Sequence, residues 1–131
     1  MTKRVIRTDQ APAPFQGAPY SQAIKANGFV FVSGQLGLAP GGSEMVGPGI
    51  EEQTSQVLDN LEAILTEAGT GLDRLLKTTV FLANLDDFQA MNGVYKEFFP
   101  TEPPARTTVG VAGLVVPGAL IEIECIAAAK K

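Results

Sequence analysis

An arginine at the start of a β-prone segment is the residue best suited to chemistry in this chain. Arg106 follows a pair of prolines in the stretch TEPPARTTVG, residues 101–110. The prolines restrict the backbone before it, while its planar guanidinium can form paired hydrogen bonds with a carboxylate or a phosphate. Arg106 could therefore bind an anionic ligand. Taken without further context, a structural salt bridge with Glu122, Glu124 or a neighbouring subunit is the more common use of such an arginine.

The sequence contains no histidine, which removes whole classes of mechanism. A Ser-His-Asp triad, a Cys-His pair, a histidine base or a His-ligated zinc cannot be built within this chain. The glycines at Gly41, Gly42, Gly47 and Gly49 do not form a phosphate-binding loop, because the G-K-[ST] signature is missing. Catalysis would have to use carboxylates, Tyr, Lys, Arg, hydroxyls, backbone groups or water.

The charge balance points to a small-molecule partner. Fourteen acidic residues against ten basic ones give a formal charge of -4, and no run of Lys or Arg is present. Binding to nucleic acid or to an anionic membrane depends on clustered positive charge, so we expect neither partner.

We also expect a cytoplasmic protein. No stretch approaches the roughly 18 apolar residues of a membrane span, and the opening MTKRVIRTDQ lacks the apolar core of a secretory signal. The single cysteine, Cys125, cannot form an internal disulfide, which fits a reducing compartment.

The first half of the chain predicts strands followed by one long helix. A short strand in KRVIR precedes a Pro-rich surface loop, APAPFQGAPY, and then two strands meet at the hairpin signal Asn27-Gly28. Apolar residues at helical spacing predict an amphipathic helix from Ile50 to Ala68, which Gly69 can end at positive φ.

The second half predicts a strand, a helix and two more strands. Residues 75–85 are β-branched and apolar, and Asp86 or Asp87 is expected to cap the next helix. That helix carries an apolar stripe of Phe88, Met91, Tyr95 and Phe98. Two strands, ARTTVGVAGL and ALIEIECIAAA, joined by a Val-Pro-Gly turn, end the chain.

These elements favour a single α/β (α+β) domain, with a six-stranded mixed sheet and two helices on one face. Two helices leave the other face uncovered, although the last strand is apolar on both faces except at Glu122 and Glu124. Another subunit is the simplest cover, so we infer an oligomer in which both glutamates project toward the subunit contact.

Six segments of the chain resemble, in order and spacing, the RidA family, also called YjgF. They are APYSQAI (18–24), VSGQL (32–36), KTTVFLANLDDF (77–88), MNGVYKEFFP (91–100), PPARTTVGVAGL (103–114) and IEIECIA (121–127). The P-A-R segment followed by I-E-I-E is the specific part of the resemblance, which covers nearly the whole chain, 1–131.

The resemblance implies a chorismate-mutase-like fold assembled as a homotrimer, with clefts between subunits. It implies hydrolysis of reactive 2-enamine or 2-imine acids, such as 2-aminoacrylate, to 2-keto acids and ammonia. No metal or organic cofactor is implied.

Two residues match catalytic positions of that family. Arg106 matches the arginine that binds the substrate carboxylate, and Glu122 matches the residue that holds or activates the attacking water. Such a site needs no histidine, because an iminium carbon is already strongly electrophilic. Glu122 could instead be an interface salt-bridge partner.

Four further residues match substrate-binding positions: Tyr20, Asn92, Gly34 and the backbone around Thr108. The alternatives are that Tyr20 only packs, that Asn92 is a solvated helix residue and that Gly34 merely ends a strand. Many relatives have other small residues after the arginine where this chain has Thr107 and Thr108, which leaves a backbone role intact.

Two other functions compete with deamination. The cleft could bind a small carboxylate without catalysis, as a regulatory protein would. RNA cleavage is the weaker competitor, because the acidic balance and the missing histidine offer neither phosphate attraction nor the usual base.

Overall fold

The computed structural model describes residues 2–130 and shows one mixed sheet with two helices. The strands are β1 (Arg4–Ile6), β2 (Ala23–Ala26), β3 (Phe29–Leu36), β4 (Leu75–Leu82), β5 (Ala105–Gly110) and β6 (Ile121–Ala128), and the helices are α1 (Ile50–Glu67) and α2 (Phe88–Phe98). This order confirms the predicted succession of elements. Strand β4 ends at Leu82 and strand β5 at Gly110, so both are shorter than predicted.

The sheet has the strand order β1-β2-β3-β6-β4-β5. All neighbours are antiparallel except β4 and β5, which are parallel and connected through α2. A parallel pair needs such a crossover, and this crossover places β5 at the edge of the sheet. Strand β5 therefore has one unpaired side, where its backbone groups face outward.

The last two strands are not neighbours, although only a short connection joins them. Strand β6 lies between β3 and β4, and both ends of the connection, residues 111–120, are hydrogen-bonded at the end of β4, through Val111 N to Leu82 O and through Ala83 N to Leu120 O. The predicted Val-Pro-Gly turn is confirmed within this connection, since Ala119 N donates to Val116 O at 3.1 Å and Gly118 has φ 84°. The turn reverses the chain direction within the connection, and it does not form a hairpin because β5 and β6 are not paired.

The ends of the helices are set by local residues. Asp87 occupies the N-cap position of α2 without a side-chain hydrogen bond, so the prediction of an aspartate cap was wrong. Asn84 supplies the cap one turn earlier, where its Oδ1 accepts from Asp86 N at 2.9 Å and begins a short 3₁₀ turn. Helix α1 ends as predicted, with Gly69 at φ 82°.

Both helices pack on the same face of the sheet, as predicted. The core between them is formed by alternate strand residues and the inner sides of the helices, among them Val30, Val80, Ile123, Leu61 and Met91, all fully buried. The alternation continues through β6, where Ile121, Ile123, Cys125 and Ala127 are buried, and the residues between them face the opposite side.

The opposite, open face of the sheet carries apolar side chains that nothing in residues 2–130 covers. Val5, Phe29, Phe31 and Val109 are between 39% and 45% exposed. Glu122 and Glu124 lie among them on the same face. An exposed apolar patch of this kind is typical of a protein interaction surface.

Candidate functional site

Arg106 lines a cleft at the edge of the sheet, on the helix face. It stands opposite Thr78 in the β4–β5 pairing, and Thr78 is fully buried under α2. The cleft has a volume of about 340 Å³. Its lining residues are Asn92, Tyr95, Lys96, Phe99, Pro103, Pro104 and Arg106.

The guanidinium of Arg106 has no carboxylate partner within residues 2–130. Its Cζ lies 4.7 Å from the centroid of the Tyr95 ring and 5.6 Å from that of Phe88, and its Nη1 lies 3.9 Å from Sδ of Met91. A salt bridge to Glu122 or Glu124 of the same chain, one alternative from the sequence, is therefore not formed. Apart from Nη1, which faces Met91 Sδ, the donors of the guanidinium have no hydrogen-bond partner among the described residues and remain available to an anion.

Asn92 and Thr108 lie close to Arg106. Asn92 lines the same cleft from α2, and its Oδ1 is buried without a hydrogen-bond partner among the described residues. A buried amide without a partner is costly, so such a group is expected to gain a hydrogen bond from a ligand or a second chain. Thr108 is half-buried two residues farther along the edge strand β5, on the same side as Arg106.

Gly34 and Glu122 form a second group, on the open face. The pairing of β3 with β6 shifts by one residue between Val32 and Gln35, which places Gly34 in a β-bulge beside Glu122. A methyl group on Gly34 would overlap Oε2 of Glu122 and lie 2.8 Å from its Cδ. Gly34 therefore provides the space that the Glu122 carboxyl group occupies.

The environment of Glu122 favours its neutral form. Partial burial raises the pKa of the Glu122 carboxyl above its usual value, and the negative charge of Glu124 raises it further. A carboxylate whose pKa is moved toward neutrality is better suited to exchange protons with water than an ordinary surface glutamate.

The two groups are separated within one chain. Arg106 pairs with Thr78 across strands β5 and β4, and Thr78 pairs with Cys125 across β4 and β6. Glu122 is three residues from Cys125 along β6. Two strand spacings and three residues along a strand correspond to about 14 Å between the α-carbons of Arg106 and Glu122. Because the two side chains also point to opposite faces, a single chain cannot place both on one small substrate.

Tyr20 belongs to neither group in the single chain. It is 45% exposed, and its hydroxyl accepts a hydrogen bond from Phe15 N at 2.9 Å. It lines a separate surface cleft of about 880 Å³ formed by the N-terminal loop, which contains Arg7, Asp9 and Glu67 but not Arg106. Its predicted role beside a bound acid stays a prediction.

The sequence analysis missed the polar contacts of Gln53, which is fully buried on α1. Its side chain donates to Gly47 O at 2.8 Å and to Gly118 O at 3.0 Å, and it accepts from Leu120 N at 2.8 Å. These bonds hold the loop that leads into β6 and Glu122. A polar side chain at the buried spacing of a helix is the signal that could have found Gln53. Tyr95 was predicted only as part of an apolar stripe, and nothing in the sequence indicated that its ring lies beside Arg106.

Cys125 lies on the buried face of β6, opposite to Glu122, as predicted. Burial raises the pKa of its thiol to about 12, with a further contribution from the charge of Glu124. The thiol therefore stays protonated near neutral pH and serves packing.

Within residues 2–130, no three His, Cys, Asp or Glu side chains come together in a way that could hold a metal ion. In the same residues, neither helix combines the length and the apolar character needed to cross a bilayer.

Fold and site together define a small α/β protein with an arginine in a cleft at its sheet edge, where no carboxylate of residues 2–130 pairs with it. A family model described as Endoribonuclease L-PSP matches residues 8–129. Reactive Intermediate Deaminase A of Arabidopsis thaliana, a chloroplastic protein, is 49% identical over 95% of this chain, and the match spans 65% of that longer protein. A RutC family protein of Synechocystis is 48% identical, with 97% of each chain covered. The chain belongs to the RidA family.

Solved structures agree with this assignment. Yeast Mmf1 superimposes with a TM-score of 0.92 at 42% identity, covering 98% of this chain and 100% of that one. Escherichia coli TdcF, solved with bound serine, superimposes with a TM-score of 0.89 at 35% identity, covering 97% and 99%. The predicted six-stranded mixed sheet with two helices on one face is thus confirmed.

Proposed function

We propose that this protein is a deaminase that hydrolyses 2-imino and 2-enamino acids to 2-keto acids and ammonia. The observation that carries the proposal is the guanidinium of Arg106, which lines a cleft without a carboxylate partner in residues 2–130. A planar guanidinium binds a carboxylate through two parallel hydrogen bonds. The relationship to a protein named Reactive Intermediate Deaminase A supplies the reaction class.

We propose further that the working enzyme is a homotrimer with its sites between subunits. One chain carries Arg106, Asn92 and Thr108 on the helix side of the sheet edge, and Gly34 and Glu122 on the open face. Covering the open face with another copy would bury Phe29 and Phe31, and in the proposed trimer the Glu122 of one subunit lies beside the Arg106 of the next at the rim of that contact. Tyr20 would join the same cleft from the N-terminal loop.

The reaction follows from this arrangement. Arg106 holds the carboxylate, and the amide of Asn92 gains a partner on the ligand. Glu122 accepts a proton from a water molecule as the water oxygen bonds to the iminium carbon, and it returns that proton to the amine nitrogen. The C–N bond then breaks as the oxygen forms the C=O bond and gives its remaining proton to Glu122, which releases ammonia and the 2-keto acid without electron transfer. An enamine first takes a proton at C3 and becomes the same iminium.

The test is a coupled assay. A serine dehydratase or an amino-acid oxidase generates the imine, and keto-acid release is timed with and without this protein. We expect clear acceleration by the wild type, undiminished by EDTA. Replacing Arg106 with Ala removes charge-assisted hydrogen bonds of about 1.5–3 kcal/mol each, so kcat/KM should fall by about 100-fold or more. A wild type that gives no acceleration would contradict the proposal.

A second candidate function is binding of a small carboxylate without turnover. The solved structure of TdcF with bound serine favours it, because an amino acid bears the same carboxylate but no reactive C=N bond. Turnover by the wild type separates the two functions, because a protein that only binds has none. Glu122→Gln then tests the catalytic role: if the protein is a deaminase, the variant should lose about 100-fold or more in kcat and still bind pyruvate.

The net charge of -4 does not favour RNA as a substrate, despite the name of the family model. A single-stranded RNA incubated with the protein provides the control, and we expect it to stay intact. A cytoplasmic location and independence from cofactors remain part of this proposal.

A further inference from the structure

The apolar stripe of helix α2 forms the support on which Arg106 rests. Tyr95 and Phe88 both place a ring within 6 Å of the guanidinium carbon, at 4.7 and 5.6 Å. Met91, fully buried between them on the stripe, contacts Nη1 through its sulfur. An arginine over an aromatic face is held by attraction between its charge and the ring quadrupole, while its N–H edge stays free.

Tyr95 is itself held rigidly. Its side chain is only 5% exposed, and its hydroxyl is 2.7 Å from Oγ1 of Thr78, in a buried hydrogen bond. Its ring also packs against Phe99, with the centroids 4.8 Å apart. Thr78 is the residue that pairs with Arg106 across β4 and β5. Tyr95 is thus anchored to the same point of the sheet from which Arg106 projects.

A long, flexible side chain loses rotamer entropy when it binds a ligand in one geometry. A support that already fixes the plane of the guanidinium reduces that cost before the ligand arrives. We propose that Tyr95 is a positioning residue, whose ring sets the plane of the Arg106 guanidinium for binding of the substrate carboxylate. This inference rests on the proposed function, because it assumes that Arg106 binds that carboxylate.

The test compares Tyr95→Leu, which removes the ring, with Tyr95→Phe, which keeps it and removes only the hydroxyl. We expect Tyr95→Leu to raise KM and the Kd for pyruvate by about 10-fold, with kcat within about 3-fold of the wild type. The reason is that carboxylate binding contributes equally to the ground state and the transition state. Tyr95→Phe should stay within about 3-fold of the wild type in all three constants.

An NMR measurement reports the geometry independently of activity. Protons of the Arg106 side chain should show an upfield ring-current shift in the wild type and in Tyr95→Phe, and lose most of it in Tyr95→Leu. Leu61→Val, a core change in α1, which contributes no residue to the lining of the cleft, controls for destabilisation and should alter neither KM nor the shift. Tyr95→Met is the second ring-free variant if the leucine variant does not fold.

The outcomes are distinct. If the wild type is active and the ring-free variants match it in KM, in the Kd for pyruvate and in the Arg106 chemical shift, the proposed role of Tyr95 is wrong and the proposed function still stands. A Tyr95→Phe variant as impaired as Tyr95→Leu also overturns it, because the hydroxyl would then carry the effect. A wild type that neither binds pyruvate nor accelerates hydrolysis overturns the proposed function, and this role with it.

Discussion

Arg106 and Glu122 lie on opposite faces of one sheet, separated by the width of strand β4. The arginine packs under helix α2 at the sheet edge, and the glutamate stands on the open face beside Gly34. The two side chains therefore cannot meet within one chain. If both act on one substrate, they must come from different copies.

This separation predicts complementation between two inactive variants. Arg106→Ala and Glu122→Gln subunits, unfolded together and refolded as mixed trimers, should recover about a quarter of the wild-type activity, because one interface in four combines the intact halves of both. The coupled assay on the mixture measures the recovery. Each variant refolded alone provides the control, and a mixture no more active than its components would show that both residues serve the same site from one chain.

Gly34 should be required for activity more than for stability. A Cβ at this position displaces the end of the flexible Glu122 side chain rather than backbone, so Gly34→Ala should fold and yet lower kcat by about 10-fold or more. Gly93→Ala is the matched control, since nothing lies within 4 Å of a Cβ there. It replaces a helical glycine and should stabilise the protein by about 0.4–1 kcal/mol. Equal activity of both variants would contradict the role of Gly34.

The pH dependence of the reaction should depend on Glu124. Burial and the charge of Glu124 raise the pKa of Glu122, so the acid limb of the kcat/KM profile should lie at higher pH than for an ordinary glutamate. Glu124→Gln removes the second cause, and the acid limb should then move to lower pH. Rates measured from pH 5 to 9 test this. An acid limb that stays in place would mean that another group controls the rate.

The same pKa shift predicts that Glu122 reduces stability at neutral and alkaline pH. Its pKa is raised in the folded state above the ordinary value of 4.5, so the stability that Glu122 contributes is present below pH 4.5 and lost as the pH rises through the raised pKa. Glu122→Gln should therefore be more stable than the wild type in urea at pH 8, and the difference should shrink at pH 5. A difference that does not change with pH would contradict the assignment.

Cys125 should be inert toward thiol reagents. Its thiol is buried and has a pKa of about 12, so almost none of it is thiolate at pH 7.5. Iodoacetamide should leave the folded protein unlabelled and fully active, while the urea-unfolded chain reacts stoichiometrically. Inactivation of the folded protein at the rate of a free thiol would disprove this burial.

The features predicted correctly from the sequence are those encoded locally. Asn27 and Gly28 both adopt positive φ, 52° and 83°, as the hairpin signal required. The 3.6-residue spacing located both helices. The insertion of β6 between β3 and β4 depends on pairing between distant segments, which no local pattern specifies.

The composition of the site could be predicted, but its arrangement could not. Arg106 and Asn92 were expected together and share a cleft, and the alternation along β6 correctly placed Glu122 and Cys125 on opposite faces. Which face of β5 Arg106 occupies depends on the register with β4, and that register is visible only in three dimensions. The bulge that seats Glu122 against Gly34 was invisible for the same reason.

The buried amide of Gln53 joins the start of α1 to the loops around Gly47 and Gly118. Because Leu120 N donates to the buried Oε1 of Gln53, we expect this amide hydrogen to exchange slowly with deuterated solvent. The segment just before β6 should then be as protected from exchange as a strand, although it has no regular secondary structure.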